Sequence, residues 1–153
     1  MNIVEVLKEK GLTISTAESV TAGLIAAKIC DYSGASNVFK GGIVAYTKEI
    51  KCNLLSLNMN DIEAFGVYSE ETAGNMALSI KKKTGSDLSI ATSGVAGPGM
   101  DENVEAGTVY FGFQVLDRLY TEVKFFSGDR NEVRKQAVEF AINRIIELLE
   151  QNE

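Results

Sequence analysis

The chain has 153 residues, of which 45% are hydrophobic and 24% charged, and its formal net charge is -6. That is the balance of one globular domain over residues 1–153, and a chain of this length buries roughly 70% of its unfolded surface, enough for a core without metal or disulfide. The acidic excess excludes non-specific contact with nucleic acid or an anionic membrane, since both need a basic surface. The complete absence of histidine excludes a Ser-His-Asp or Cys-His hydrolase and a histidine-ligated zinc site within the chain.

Residues 2–10 carry Ile3, Val4 and Leu7 on one helical face, and Gly11 is the expected stop. Residues 12–16 read as a short strand, and 20–31 as a mostly buried helix. The run SGAS at 33–36 is a turn. A strand is expected over 42–46, then short helices over 48–55 and 61–65. Ser69 is a good N-cap for a helix to about residue 84, which Gly85 ends. Residues 88–93 form a strand and 94–106 a glycine-rich polar loop. Two strands at 107–115 and 119–126 lie close enough for a hairpin around Leu116-Asp117-Arg118. Asp129 with Glu132 makes a capping-box start for the last helix, whose buried stripe is Val138, Ala141, Ile142, Ile145, Leu148 and Leu149. Strand–helix alternation followed by a hairpin and a long helix predicts an α/β fold, a three-layer α/β/α sandwich with a mixed β-sheet. The opening MNIVEVLKEK lacks the apolar run of a signal peptide, and no window approaches a membrane span. Cys30 and Cys52 make no disulfide framework and fit a reducing compartment, so a cytoplasmic location is expected.

Four stretches can carry chemistry. In TAESVTAG, residues 16–23, Ser19 sits where a strand hands over to a helix, beside amides that are unpaired at a helix start. A nucleophile fits there, with those amides as oxyanion donors, and so does a plain N-cap by Ser19 or Thr21. In GGIVAYTKEIK, residues 41–51, Tyr46 ends the expected strand and Lys51 lies on the next helix. Without histidine, a lysine shielded from water is the obvious base for a serine, with Tyr46 holding it or relaying the proton. The alternative is a strand tyrosine and a solvated lysine. In ATSGVAGPG, residues 91–99, Ser93 ends a strand and the glycines permit close backbone approach to an anion. The glycine spacing fits neither a Walker loop nor a dinucleotide fingerprint. In FFSGDRNEVRKQA, residues 125–137, Arg130 occupies a first helical turn, where a cation is disfavoured unless it meets an anion such as phosphate. A surface pairing with Asp129 or Glu132 is the other reading.

TAESVTAG, GGIVAYTKEIK, VYSEETAGNMA, SGVAGPG, GTVYFGF and FSGDRNEVRKQA, taken in this order, resemble the CinA C-terminal domain family from about residue 5 to 150. The resemblance implies a compact α/β amidohydrolase that converts nicotinamide mononucleotide to nicotinate mononucleotide and ammonia, in a form without the further N-terminal domain of larger members. The family's catalytic serine, tyrosine and lysine fall on Ser19, Tyr46 and Lys51. Substrate contacts are expected from Thr21, Ala22 and Gly23, from Ser93, Gly94, Ala96 and Gly97, and from Arg130 at the phosphate. No metal or cofactor is expected, and the partners are the small-molecule substrate and further copies of the chain. The family's usual TAESCTGG reads TAESVTAG here, and the loop before GTV carries Asp101, Glu102 and Glu105. A non-catalytic pyridine-nucleotide binder therefore stands beside the enzyme reading. An interaction module for DNA uptake does not fit the net charge of -6.

Overall fold

Short polar side chains fix where most helices of this chain begin. The computed structural model describes residues 1–152. Asn2 and Glu5 form a complete capping box on α1, Ile3–Lys10, and Gly11 ends it at φ 69°. Asp129 and Glu132 do the same for α6, Arg130–Gln151. Thr47 caps α3, Lys48–Leu55; Asn58 caps α4, Met59–Phe65; and Ser69 caps α5, Glu70–Thr84. The exception is α2, Leu24–Cys30, whose N-cap is Gly23 with no side chain to offer. Its free amides are taken by a residue of the preceding strand, described below.

The strands β1, Ile14–Glu18, β2, Phe39–Val44, β3, Leu88–Gly94, β4, Thr108–Val115, and β5, Arg118–Phe125, form one sheet in the order β2-β1-β3-β4-β5. β1 pairs in parallel with β2 and β3, while β3, β4 and β5 run antiparallel. The expected mixed sheet is therefore present, with the hairpin closed by Leu116 and Asp117. One face buries Ile14, Leu88, Ile90, Phe111 and Phe113 against α1, α2 and α6. The other buries Ala17 and Ala91 against Leu55 of α3 and Met76, Ala77 and Ile80 of α5. These are the three layers of the sandwich, and strand alternation assigns each side chain to one of them.

The chain leaves β1 for β2 on one side and returns to β3 on the other. The crevice at the carboxyl ends of β1 and β3 is thus the topological switch point, where open α/β sheets bind ligands. Ser19 follows β1 there, and the 94–106 loop follows β3.

Three expected boundaries move. β1 lies two residues later than 12–16 because Thr13 ties its backbone N–H and hydroxyl to Asp87. β2 begins at Phe39 and ends at Val44 rather than spanning 42–46, so Tyr46 stands beyond the strand, and Gly41 and Gly42 pair with Ser15 and Thr16. α2 begins at Leu24 rather than residue 20 because Ala22 and Gly23 have φ of 48° and 93°, which helical backbone cannot continue.

Close approach of α5 to the sheet requires Gly112 in β4, where a Cβ would overlap the carbonyl of Ala73 and press on Ala77. Gly112→Ala is expected to destabilise the fold by about 1–3 kcal/mol through overpacking. A urea midpoint equal to wild type, with an unchanged slope, would show that α5 can move aside freely.

Candidate active site

The end of β1 divides the two layers between two adjacent residues. Glu18 turns to the α2 side, where its carboxylate accepts from Ile25 N at 2.8 Å, Ala26 N at 3.0 Å and Thr21 Oγ1 at 2.7 Å. The free amides and positive end of α2 are thereby spent on a buried carboxylate of the protein itself. The Thr21 hydroxyl also bonds to Thr92 Oγ1 at 2.9 Å, and Thr92 takes the Ser19 N–H through its carbonyl at 3.2 Å and its hydroxyl at 3.3 Å.

Ser19 turns to the α3 side. There Lys51 Nζ donates to Ser19 Oγ at 3.0 Å and to the Ala45 carbonyl at 3.0 Å. Lys51 is 1% exposed and Ser19 4%, so the contact is made out of water. No carboxylate pairs with Lys51 among the described residues. Burial alone holds its ammonium down, from an ordinary value near 10.5 to about 8. Thirty-two residues of sequence separate this pair, and the fold closes the gap because α3 crosses beneath the carboxyl end of β1.

Residues 19–22 form a tight turn closed by Ala22 N to the Ser19 carbonyl at 2.9 Å. The N–H groups of Val20 and Thr21 have no hydrogen-bond partner among the described residues. On the outer side of the turn, Arg134 of α6 donates to the Val20 carbonyl at 3.0 Å and to the Thr21 carbonyl at 3.4 Å.

Beside Val20, the residue that follows Ser19, lies a cleft of about 220 Å³ walled by Val20, Tyr46, Tyr68, the 94–101 segment and Arg130. Ser19 and Lys51 are themselves buried and do not line it. Arg130 reaches across it, donating to the Gly97 carbonyl and to the Tyr46 hydroxyl, both at 2.7 Å. Asp129 and Glu132 are occupied in the capping box, so neither pairs with Arg130 as a surface reading required. Tyr68 donates to Asp101, and burial with that carboxylate raises its hydroxyl above the ordinary range. Glu102 pairs with Lys48 at 2.6 Å, which ties the loop to the start of α3.

The structure therefore brings Ser19 and Lys51 together and gathers Gly94, Ala96, Gly97, Tyr46 and Arg130 around one cleft. It does not place the Tyr46 hydroxyl on the lysine: Tyr46 is 53% exposed at the rim and bonded to Arg130. Thr21 and Ser93 spend their hydroxyls on the fold, Thr21 on Glu18 and Thr92, and Ser93 on the Val67 carbonyl at 2.7 Å. Ala22 is exposed and its amide closes the turn, while Gly23 serves as the N-cap of α2. Neither lines the cleft. The sequence places the expected oxyanion donors at the start of α2, but the Ile25 and Ala26 amides there bond to Glu18, and the open amides are those of the turn before it. Sequence reasoning passed over Glu18, Thr92 and Arg134. Glu18 had a signal, an acid at the end of a strand otherwise buried on both faces, and Arg134 had one in its place one turn after Arg130.

The charged Lys51 costs stability. Below about pH 8 both folded and unfolded chains hold its proton, and the full burial penalty stands; above about 10.5 both have lost it, and the penalty is gone. Between these values the unfolded chain binds the extra proton, so stability rises with pH. Lys51→Met removes the effect. Urea unfolding should show wild type gaining on that variant by about 1 kcal/mol between pH 7 and 9. Parallel pH profiles for the two proteins would mean that Lys51 is not buried charged.

The CinA C-terminal domain family matches residues 1–149. A CinA-like protein of Petrotoga mobilis is 40% identical over 150 residues, covering 97% of this chain and 37% of its own length. A CinA-like protein of Kosmotoga olearia is 42% identical over 142 residues, covering 92% of this chain and 34% of its own. The chain thus spans about a third of the length of the curated relatives it matches. A solved CinA superfamily protein from Klebsiella pneumoniae superposes with a TM-score of 0.93 at 32% identity, covering 96% of this chain and 92% of that one. The fold, the order of the motifs and these likenesses agree, and the chain belongs to the CinA C-terminal domain family.

Proposed function

We propose that the chain is a serine amidohydrolase that releases ammonia from nicotinamide mononucleotide. The observation that carries the reading is the 3.0 Å contact between Ser19 Oγ and a lysine whose ammonium is held near 8 with no carboxylate beside it. Such a lysine loses its proton in a usable range, and neutral Nζ then accepts a hydrogen bond from the serine instead of donating one. Ser19 Oγ attacks the carboxamide carbon as its proton passes to Lys51. The oxyanion that forms takes the Val20 and Thr21 amides. Lys51 returns the proton to the departing nitrogen, ammonia leaves, and an ester on Ser19 remains. Water, deprotonated by Lys51, hydrolyses that ester to the carboxylate and restores the serine. Arg130, carrying no carboxylate partner among the described residues, holds the phosphate, with Tyr46 beside it at the rim.

Ser19→Ala should abolish ammonia release from nicotinamide mononucleotide while the protein stays folded, with a loss of about 1–3 kcal/mol because Lys51 loses one of its two acceptors. Lys51→Arg keeps the charge but cannot deprotonate, and should be equally inactive. Wild-type kcat/KM should climb with pH to an apparent pKa of about 8. Turnover retained by either variant would remove that residue from its role. Mononucleotide binding without any ammonia release would favour the non-catalytic binder.

The phosphate contact has its own control. A charge-assisted hydrogen bond contributes roughly 1.5–3 kcal/mol, so Arg130→Ala should cut efficiency on the mononucleotide about 10- to 150-fold. Slow hydrolysis of the riboside, which lacks the phosphate, should hardly change. Equal losses on both substrates would take Arg130 away from the phosphate.

A further inference from the structure

We propose that Arg134 is the positioning residue of the oxyanion site: its guanidinium holds the turn at residues 19–22 so that the Thr21 amide stays open to the reacting centre. The inference rests on the amidohydrolase reading above. Arg134 takes two successive carbonyls from the α6 side, that of Val20 through Nε at 3.0 Å and that of Thr21 through a terminal nitrogen at 3.4 Å. In a trans peptide the C=O and N–H of one unit point opposite ways. The Val20 carbonyl shares its peptide with the Thr21 N–H, so Arg134 turns that N–H away from α6. The Thr21 carbonyl shares its peptide with the Ala22 N–H, which closes the turn on the Ser19 carbonyl.

The Val20–Thr21 peptide is the central unit of a four-residue turn. Flipping such a unit would put the β-branched Thr21 at positive φ, so the turn itself favours the observed direction of the N–H. Glu18 and Thr92 hold the Thr21 side chain and Thr92 holds the Ser19 amide, but neither touches the Val20–Thr21 peptide. Arg134 is the side chain that bonds to that peptide and holds it in this direction. A cationic donor on the carbonyl also polarises the peptide, strengthening the N–H as a donor. Arg134 touches no reacting atom in this scheme and acts only through the backbone.

Arg134 also lines a groove of about 460 Å³ between α2 and α6, with Leu24, Ala27, Lys28, Lys135 and Val138. Truncating the side chain opens that groove onto the two carbonyls, leaving room for a free guanidinium ion in its place.

The test compares Arg134→Ala and Arg134→Lys with wild type. Ammonia release from nicotinamide mononucleotide gives kcat and KM, and nitrogen-15 spectra follow the Val20 and Thr21 amides. Displaced oxyanion donors cost on the order of 100-fold. Arg134→Ala should therefore lose about 10- to 100-fold in kcat with KM little changed, and Arg134→Lys less. Millimolar guanidinium should restore part of the loss in Arg134→Ala and do nothing to wild type. In both variants the Thr21 amide resonance should move while those of β3 and β4 stay. An unchanged kcat, a loss confined to KM, or an unmoved Thr21 amide would each overturn the proposal. Should Arg134→Ala not fold, Arg134→Lys carries the decision through its kcat and its Thr21 resonance. Should wild type release no ammonia, the functional reading falls, and the Thr21 resonance alone decides whether Arg134 holds the turn.

Discussion

An ammonium group removed from water without a counter-ion is costly to a fold, and Lys51 is such a group beside the end of β1. Lys51 keeps two acceptors, the Ser19 hydroxyl and the Ala45 carbonyl, and neither carries a charge. The chain has 21 acidic residues, so the lack of a carboxylate here is a matter of placement rather than composition. An acid beside Lys51 would stabilise the ammonium and raise its pKa beyond use as a base. The penalty of roughly 3 kcal/mol implied by a shift from 10.5 to about 8 falls on the rest of the fold. Two packed helical layers and a mostly buried sheet offset it, as the buried cluster on each face shows.

Glu18 shows why that arrangement needs a strand end. It is as buried as Lys51, and it is one residue from the serine. Strand alternation sends it to the opposite layer, where two helix amides and a hydroxyl satisfy it. A buried carboxylate with three donors is tolerable where a bare one is not. The helix amides it uses are then closed to any ligand, and the amides left open are those of the turn at Val20 and Thr21. The two charges are therefore solved separately, one by hydrogen bonds and one by titration.

The sequence made legible whatever depends on neighbours along the chain. The caps at Ser69 and Asp129, the stops at Gly11 and Gly85, and the buried stripe of α6 all lie where periodicity and capping rules put them. The Ser19–Lys51 contact was readable only as a pair of suspects, because nothing local joins residues 32 apart. Where the hydroxyls of Tyr46, Thr21 and Ser93 go was not legible. Each is a hydroxyl beside a ligand motif, and only three-dimensional neighbours show what it bonds to in the fold. Ser93 faces the α5 side and meets the Val67 carbonyl; Thr21 faces Glu18. The start of α2 was misplaced because a left-handed alanine carries no sequence signature, whereas a glycine at residue 22 would have announced the turn.

The same geometry accounts for the departures from the family's motif wording. Val20 is a buried apolar residue of the α2-side core, a place where a cysteine of similar size behaves as a small hydrophobe too. Ala22 keeps the turn at φ 48°, a conformation that costs an L-residue about 1–2 kcal/mol, and its methyl points into solvent rather than into the cleft. Of the acids in the 94–106 loop, Glu102 is neutralised by Lys48, and Asp101 is held by Tyr68 at the cleft wall. The cleft therefore offers a cation from α6 and an anion from the loop, with Arg130 answered by no carboxylate among the described residues. A small ligand with an anionic group and a cationic ring, such as the mononucleotide proposed above, meets complementary charge on both walls. A ligand carrying negative charge alone meets Asp101 as a cost.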